Sequence, residues 1–192
     1  QVTVIEMGQQ VLAPLDHEMA RLVETHLEAK GLRLVLGDGV AGFAQAPDGS
    51  LRVETRGRQA FGADVVVLAL GVKPEVSLAR DAGLDIGARG GIRVDEHMVT
   101  SDPDILAVGD AVEVRDAITG DWTLMALAGP ANRQGRIAAE VIAGRPSRFR
   151  GVQGTSIVGL FGAAAAWTGA SEKALRRAGI GDYGKVYLYP NA

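Results

Sequence analysis

The stretch that decides the fold is "VTVIEMGQQVLAPLDHEMARLVETHLEAKGLRLVLG", residues 2–37. It opens with a continuous, β-branched apolar run that closes on Glu6, which is typical of a buried parallel strand. Asp16 then fits the N-cap of a helix, and Gly31 fits the position just after its end. A second apolar run, "LRLVLG" at 32–37, follows at once. The order strand, helix, strand predicts a βαβ unit and the α/β class.

The helix of this unit is predicted from side chains that recur with helical spacing and share one face. They are Met19, Leu22, Val23, His26 and Leu27. Such a stripe is typical of an amphipathic helix.

After the βαβ unit the pattern changes to three strand-like runs that are separated by turn residues. The runs lie at 39–46, 50–56 and 63–70, with turns at 47–50 and around Gly57. This spacing predicts an antiparallel β-meander. The last run contains a continuous apolar segment, Val65–Leu70, which predicts a buried strand.

The stretch "GDGVAG", residues 37–42, matches the dinucleotide-binding pattern G-x-G-x-x-G letter for letter. In a true fingerprint the last glycine opens a helix, whose N-terminus faces the pyrophosphate. Here Gly42 is followed by "FAQAPDGS", which contains a proline and a turn and has no helical period. We therefore predict that Gly37, Gly39 and Gly42 lead into the meander and bind no nucleotide.

The second half of the chain alternates short elements. The first are a helix at Ser77–Ala82 closed by Gly83, a strand in "GIRVD" (91–95) and a buried strand at Ile105–Val108. A hairpin that turns at Thr119–Gly120 follows. The last is a helix that begins at about Pro130 and has Ile137, Val141 and Ile142 on its apolar face. After Gly154, strand-like "TSIVGLFG", a basic helix "EKALRRAG" and strand-like "KVYLY" indicate a separate α+β unit.

The composition excludes several classes of function. The chain has 192 residues, a net charge of −3, no cysteine and three histidines without ligand-like spacing. Disulfides, thiolate metal sites and a catalytic thiol within this chain are excluded, and we predict no metal site. We expect no nucleic-acid partner and no membrane span, and we expect the protein to be cytoplasmic. Because the chain opens and stops in strand-like sequence, we expect it to be part of a longer protein.

Three stretches are candidates for chemistry. Glu6 closes a strand of the βαβ unit, where an acid binds the ribose hydroxyls of a dinucleotide and repels a 2′-phosphate, although a solvated acid is equally consistent. Asp110 follows the predicted strand in "TSDPDILAVGDA" (100–111), where it could accept hydrogen bonds from a polyol; an Asp in an ordinary turn is the alternative. The helix start near Pro130 could stabilise an anion through unpaired amides, or be an ordinary helix start.

These three stretches, in this order, resemble the FAD-dependent pyridine nucleotide-disulfide oxidoreductases, and within them the coenzyme A-disulfide reductase / NADH oxidase group. "TSDPDILAVGDA" is similar to the second FAD motif of that family, and "LAGPANRQGRIAAEVIAG" to the helix whose start lies under the flavin. "VVVLALGVKPEVSLARDAGL" resembles the return from the NAD domain to the FAD domain. "GTSIVGLFGAAAAWTGASEKAL" resembles the opening of the dimerisation domain.

The resemblance implies a role for each candidate residue. Asp110, after Gly109, would hold the flavin ribitol, and Glu6 would bind the NAD ribose, which favours NADH over NADPH because no Arg or Lys stands at the next four positions. Gly71 would lie at the domain junction near the nicotinamide. The flavin-proximal positions would be Leu127, Ala128, Gly129 and Pro130.

The resemblance also implies a Rossmann-like α/β fold, of which this chain would be only a part. Residues 1–72 would be the C-terminal part of an NAD domain, 73–151 that of an FAD domain, and 152–192 the start of an α+β dimerisation domain. The redox-active Cys and both nucleotide fingerprints would lie outside the chain, so we expect the chain alone to be inactive.

The implied activity begins with transfer of hydride from NADH to FAD. The electrons would then pass, through a Cys outside this chain, to a small-molecule acceptor: a disulfide such as coenzyme A disulfide, a persulfide or a similar compound. The resemblance also implies that the full-length protein is a homodimer. Three alternatives remain: an NADH oxidase that reduces dioxygen, a reductase of a protein partner such as a ferredoxin, and a non-catalytic nucleotide-binding or dimerisation fragment.

Overall fold

The computed structural model describes residues 1–188, which form four helices and ten strands. In chain order they are β1 (Thr3–Glu6), α1 (His17–Ala29), β2 (Arg33–Leu36), β3 (Val40–Gln45), β4 (Leu51–Thr55), β5 (Ala60–Ala63), α2 (Ser77–Asp81), β6 (Ile92–Arg93), β7 (Val112–Arg115), β8 (Trp122–Leu124), α3 (Ala128–Ile142), β9 (Ser156–Leu160), β10 (Ala163–Trp167) and α4 (Glu172–Arg177). They divide into two compact units: residues 1–71 with 156–167, and residues 72–155 with the described residues from 168 onward.

The first unit contains the predicted βαβ motif. Strands β1 and β2 are parallel, with Thr3 opposite Arg33 and Glu6 opposite Leu36. Asp16 is the N-cap residue of α1, and Gly31 follows the helix with a φ of +85°. The α/β class and the βαβ unit are thus confirmed, because β-branched runs and a capped helical period are strong local signals.

The apolar face of α1 is only partly buried. Leu22 is 60% exposed and Met19 is also exposed, whereas Ala20, Glu24 and Leu27 are buried. The helix contributes to a cluster with the β9–β10 hairpin, in which Leu15, Ala20 and Ala165 are buried together. The face that α1 buries is therefore set by its tertiary partner and not by apolar spacing alone.

An antiparallel meander with the order β3-β4-β5 is present, but its third strand is Ala60–Ala63 and not the predicted run at 63–70. Gly42 lies inside β3, beside a register shift that follows Val40, and it opens no helix. The prediction that "GDGVAG" leads into the meander is confirmed. The predicted strand Val65–Leu70 is wrong: Val67 is 83% exposed, and the described residues offer the segment no ladder partner. A parallel strand forms only where neighbouring backbone can pair with it.

The second unit is built on a three-stranded sheet with the order β6-β7-β8, in which β6 and β7 are parallel and β7 and β8 antiparallel. The hairpin at Gly120 and helix α2 agree with the prediction. The strand predicted at Ile105–Val108 is wrong, because within residues 1–188 this segment makes a single bridge, between Val99 and Leu106. Ile105 and Val108 are exposed.

Helix α3 begins at Ala128, two positions before the predicted start, and Ile142 on its predicted apolar face is exposed. Its inner side meets the core of the second unit. That core consists of Val94, Met98, Val112, Val114, Ala138, Phe149 and Val152. Residues 185–188 of the predicted strand "KVYLY" are not in a strand, and Tyr189 lies outside the described residues. No helix in the described part of the chain has the length and apolarity needed to cross a bilayer.

Candidate functional site

Gly109 and Asp110 form a tight turn just before β7 in the second unit. Gly109 has a φ of +89°, a conformation that L side chains rarely adopt, and open space surrounds the place where a Cβ would stand. Asp110 is exposed, and its carboxylate has no hydrogen-bond partner among residues 1–188. The glycine therefore serves the backbone conformation, and the turn presents a carboxylate with free acceptor oxygens.

Besides its own bond from the Val112 N–H to the Gly109 carbonyl at 3.4 Å, this turn is bonded to β6 and to α3. On one side the Ala111 carbonyl accepts the N–H of Ile92 at 2.8 Å, which starts the pairing of β6 with β7. On the other side the N–H of Gly109 donates to Oε1 of Gln134 at 2.7 Å. Gln134 belongs to α3 and is 1% exposed. The candidate turn and the candidate helix are thus joined directly.

The N-terminus of α3 carries unpaired amides. Leu127 is the N-cap residue, with an extended backbone (φ −136°, ψ 138°) and no side-chain cap. The N–H groups of Ala128 and Gly129 have no acceptor in the described part of the chain, and Pro130 has no N–H to offer. Such an end carries partial positive charge and donates to an anion or a carbonyl oxygen.

Sequence reasoning missed Gln134, although a signal was present. Gln134 precedes Ile137, Ala138 and Val141 by three, four and seven positions, and so shares the inner face of α3 with them. A polar residue on the buried face of a helix generally has a hydrogen-bond partner. The partner itself, Gly109, is distant in sequence and could not be read from spacing.

Glu6 lies at the carboxyl end of β1 in the first unit, where its side chain is exposed. Its Oε1 accepts the N–H of Gly8 at 2.6 Å, and Oε2 has no partner within residues 1–188. Gly37, at the end of β2, donates its N–H to the Gly8 carbonyl at 2.8 Å. A Cβ on Gly37 would lie 2.7 Å from Nε2 of Gln9, so this glycine allows the close approach of the loop after β1.

The loop between β1 and α1 is held by a second residue that the sequence did not reveal. Glu24 is fully buried in α1; its Oε1 accepts the N–H of Val11 at 3.2 Å, and its Oε2 accepts from Arg21 at 2.7 Å. The amide of Gln10 donates to the Leu15 carbonyl at 2.9 Å. These bonds give the residues after Glu6 a defined path, because buried charges persist only where they are paired.

Gly71 is exposed, has a φ of +83° and ends the first segment of the first unit. Open space surrounds the place where its Cβ would stand. A glycine is therefore favoured here by the positive φ of the backbone.

Asp38, inside "GDGVAG", binds the turn between β4 and β5. Its carboxylate accepts the N–H of Gly57 at 2.8 Å and contacts the amide of Gln59 at 3.4 Å. The pKa of Asp38 is lowered, first by a hydrogen bond from the Thr55 side chain and then by the Gly57 N–H. The aspartate of this motif is thus a structural residue of the meander.

Comparisons with known proteins show what the chain is similar to in sequence and in fold. Residues 1–135 match the family described as pyridine nucleotide-disulphide oxidoreductase. The chain is 39% identical over 159 residues to an NADH oxidase of Methanocaldococcus jannaschii, a match that covers 81% of this chain and 34% of that protein.

Two solved structures share the fold closely. The crystal structure of reduced Bacillus anthracis CoADR-RHD has a TM-score of 0.89 at 44% identity, covering 94% of this chain and 32% of that one. An NAD-dependent persulfide reductase from A. fulgidus also has a TM-score of 0.89, at 42% identity, covering 93% of this chain and 33% of that one. The chain therefore spans about a third of the length of these proteins.

Proposed function

The chain belongs to the pyridine nucleotide-disulphide oxidoreductase family, and on this premise we propose that it is part of a flavoprotein that oxidises NADH. The single observation that carries the proposal lies in the second unit. There an exposed carboxylate, Asp110, and a helix start with free amides are joined by the Gly109–Gln134 hydrogen bond.

The residues of this unit fit FAD. Asp110 offers acceptor oxygens that no described residue uses, as hydroxyl groups of a ribityl chain require. Ala128 and Gly129 offer amide donors at the start of α3, which would stabilise negative charge on the pyrimidine side of a flavin. Gly109 and Gly129 leave open the space that a side chain would fill. These residues would hold FAD, and the bound cofactor would supply hydride acceptance from NADH and onward electron transfer.

In the first unit we assign Glu6 to the adenosine ribose of NADH. Its free Oε2 is available to a ribose hydroxyl, and its charge disfavours a 2′-phosphate. Gly71 is assigned to the backbone near the nicotinamide, since a glycine with positive φ admits a ligand close to the main chain. We assign residues 1–72 to the NAD domain, 73–151 to the FAD domain and 152–192 to the dimerisation domain. The protein is proposed to act in the cytoplasm, as a homodimer.

Two acceptors have support. A persulfide, or a disulfide such as that of coenzyme A, is favoured by the 42% identity to the persulfide reductase. Dioxygen is favoured by the 39% identity to the NADH oxidase. This chain contains no cysteine, so the thiol that sulfur chemistry needs would be supplied from outside it.

The test uses the longer flavoprotein of which this chain is proposed to be a part. The purified protein is denatured, and its supernatant is examined for free FAD. The native protein is then mixed with NADH without oxygen, and bleaching of the flavin absorbance is followed. Reoxidation by coenzyme A disulfide, by a persulfide and by dioxygen separates the acceptors. A colourless supernatant and no bleaching would contradict the proposal and favour a non-catalytic nucleotide-binding module.

A further inference from the structure

We propose that Gln134 is a positioning residue for FAD, which acts by fixing the Gly109–Asp110 turn against helix α3. The proposal rests on the proposed function, since it assumes that Asp110 binds the flavin ribitol. Gln134 itself does not need to touch the cofactor. Its contribution is the hydrogen bond of 2.7 Å from the Gly109 N–H to Oε1.

The burial of Gln134 makes this hydrogen bond hard to replace. The side chain is 1% exposed, and its helical neighbour Ala138 belongs to the core cluster, against which Leu106 and Ala107 also pack. A buried amide oxygen that lost its donor would be left unsatisfied, so the Gly109 N–H and Gln134 hold each other. The turn is thereby tied to a rigid helix and not to a loop.

Gly109 is the residue of this turn with the greatest intrinsic backbone freedom. On its far side Ala111 is held by the N–H of Ile92 at 2.8 Å, at the start of the β6–β7 pairing. Gly109 has a φ of +89°, and glycine populates both signs of φ with similar ease. Without the bond to Gln134 the backbone that precedes Asp110 would sample other conformations, and the carboxylate would be less often in its binding position.

The test is a double-mutant cycle in the longer flavoprotein, with the Kd for FAD measured by flavin fluorescence after the cofactor has been removed. Gln134→Met keeps the length of the side chain and replaces the amide by a weak acceptor. We expect its Kd to rise about five- to tenfold, the loss of one neutral hydrogen bond. In an Asp110→Ala background the same substitution is expected to change Kd by less than about twofold, because the two residues act as one unit.

Two further measurements separate positioning from loss of packing. Val141→Ala, on the same face of α3, should lower the thermal midpoint of the apoprotein and leave the Kd for FAD unchanged. Hydrogen exchange of the peptide that contains Gly109 should accelerate in Gln134→Met and not in Val141→Ala. If Gln134→Met unfolds the protein, Gln134→Leu takes its place in the cycle.

Failure of the proposed function and failure of the proposed role of Gln134 give different results. A wild-type protein without FAD contradicts the proposed function. A wild-type protein that binds FAD, together with an unchanged Kd in Gln134→Met, overturns the inference alone. Additive effects of Gln134→Met and Asp110→Ala would also overturn it, because residues that act through each other are not additive.

Discussion

The carboxylate oxygen Oε1 of Glu6 lies 2.6 Å from the backbone nitrogen of Gly8, whose N–H donates to it. This bond ties the side chain to the loop that follows β1 and leaves Oε2 without a partner among residues 1–188. The acid is therefore pre-oriented, and one oxygen remains for a ligand. A pre-oriented acceptor binds more tightly, because less side-chain freedom is lost on binding.

Glu6→Ala is expected to lower kcat/KM for NADH in the longer flavoprotein by roughly tenfold to a hundredfold, the loss of hydrogen bonds to a charged acceptor. The value for NADPH should fall less or rise, because the charge that disfavours a 2′-phosphate is gone. Steady-state rates with both nucleotides check this. Glu54→Ala removes another exposed acid, on β4, and should alter neither value. Parallel losses for the two nucleotides in Glu6→Ala would contradict the assignment.

The chain of residues 1–192 is expected not to sustain NADH oxidation when FAD is added, because it holds no cysteine and no glycine fingerprint that opens a helix. The measurement is the decay of NADH absorbance over many equivalents of protein. Continued turnover above the rate of free FAD would show that this chain is sufficient and would refute the prediction.

Asp38→Asn is expected to destabilise the meander at neutral pH. The pKa of Asp38 is lowered below its ordinary value of 3.8, first by the Thr55 side chain and then by the Gly57 N–H. A carboxyl group with a lowered folded pKa stabilises the fold above its unfolded pKa, and this contribution is lost as pH falls through the folded pKa. Thermal midpoints of wild type and Asp38→Asn should therefore differ at neutral pH and converge in acid. A constant difference at every pH would contradict this account.

Gly87→Ala is expected to lower the free energy of unfolding by about 1–3 kcal/mol, as overpacking does. A Cβ on Gly87 would overlap the carboxylate of Glu113. That side chain cannot retreat: it is fully buried, its Oε1 accepts the N–H of Arg89 at 2.6 Å, and its Oε2 lies 3.3 Å from the Arg93 guanidinium. Chemical denaturation of the chain measures the change.

The matched control for Gly87 is Gly135→Ala in α3. Nothing lies within 4 Å of the place where its Cβ would stand. Alanine is favoured over glycine inside a helix by roughly 0.5–1 kcal/mol, so this substitution should stabilise the chain. Equal losses in Gly87→Ala and Gly135→Ala would show that the Glu113 carboxylate is not the cause.

The sequence by itself determined the local helices and strands and the caps and turns that end them. The β-branched run before Glu6 and the capped helix up to Gly31 produced a βαβ unit, and the proline and turn after Gly42 ruled out a phosphate-binding helix at "GDGVAG". These features depend on backbone preferences and on residues a few positions apart, which a sequence shows directly.

Only the tertiary structure decided which of these elements were paired and which side chains were buried. Val65–Leu70 and Ile105–Val108 have strand-like sequence but remain outside the ladders of the described chain, because a strand requires hydrogen-bond partners that its own residues cannot supply. Glu24 and Gln134 are polar residues on helices, and only the tertiary structure supplies their partners, the N–H groups of Val11 and Gly109. Contacts between residues distant in the chain depend on the path of the backbone between them, and the amino-acid pattern on either side does not record that path.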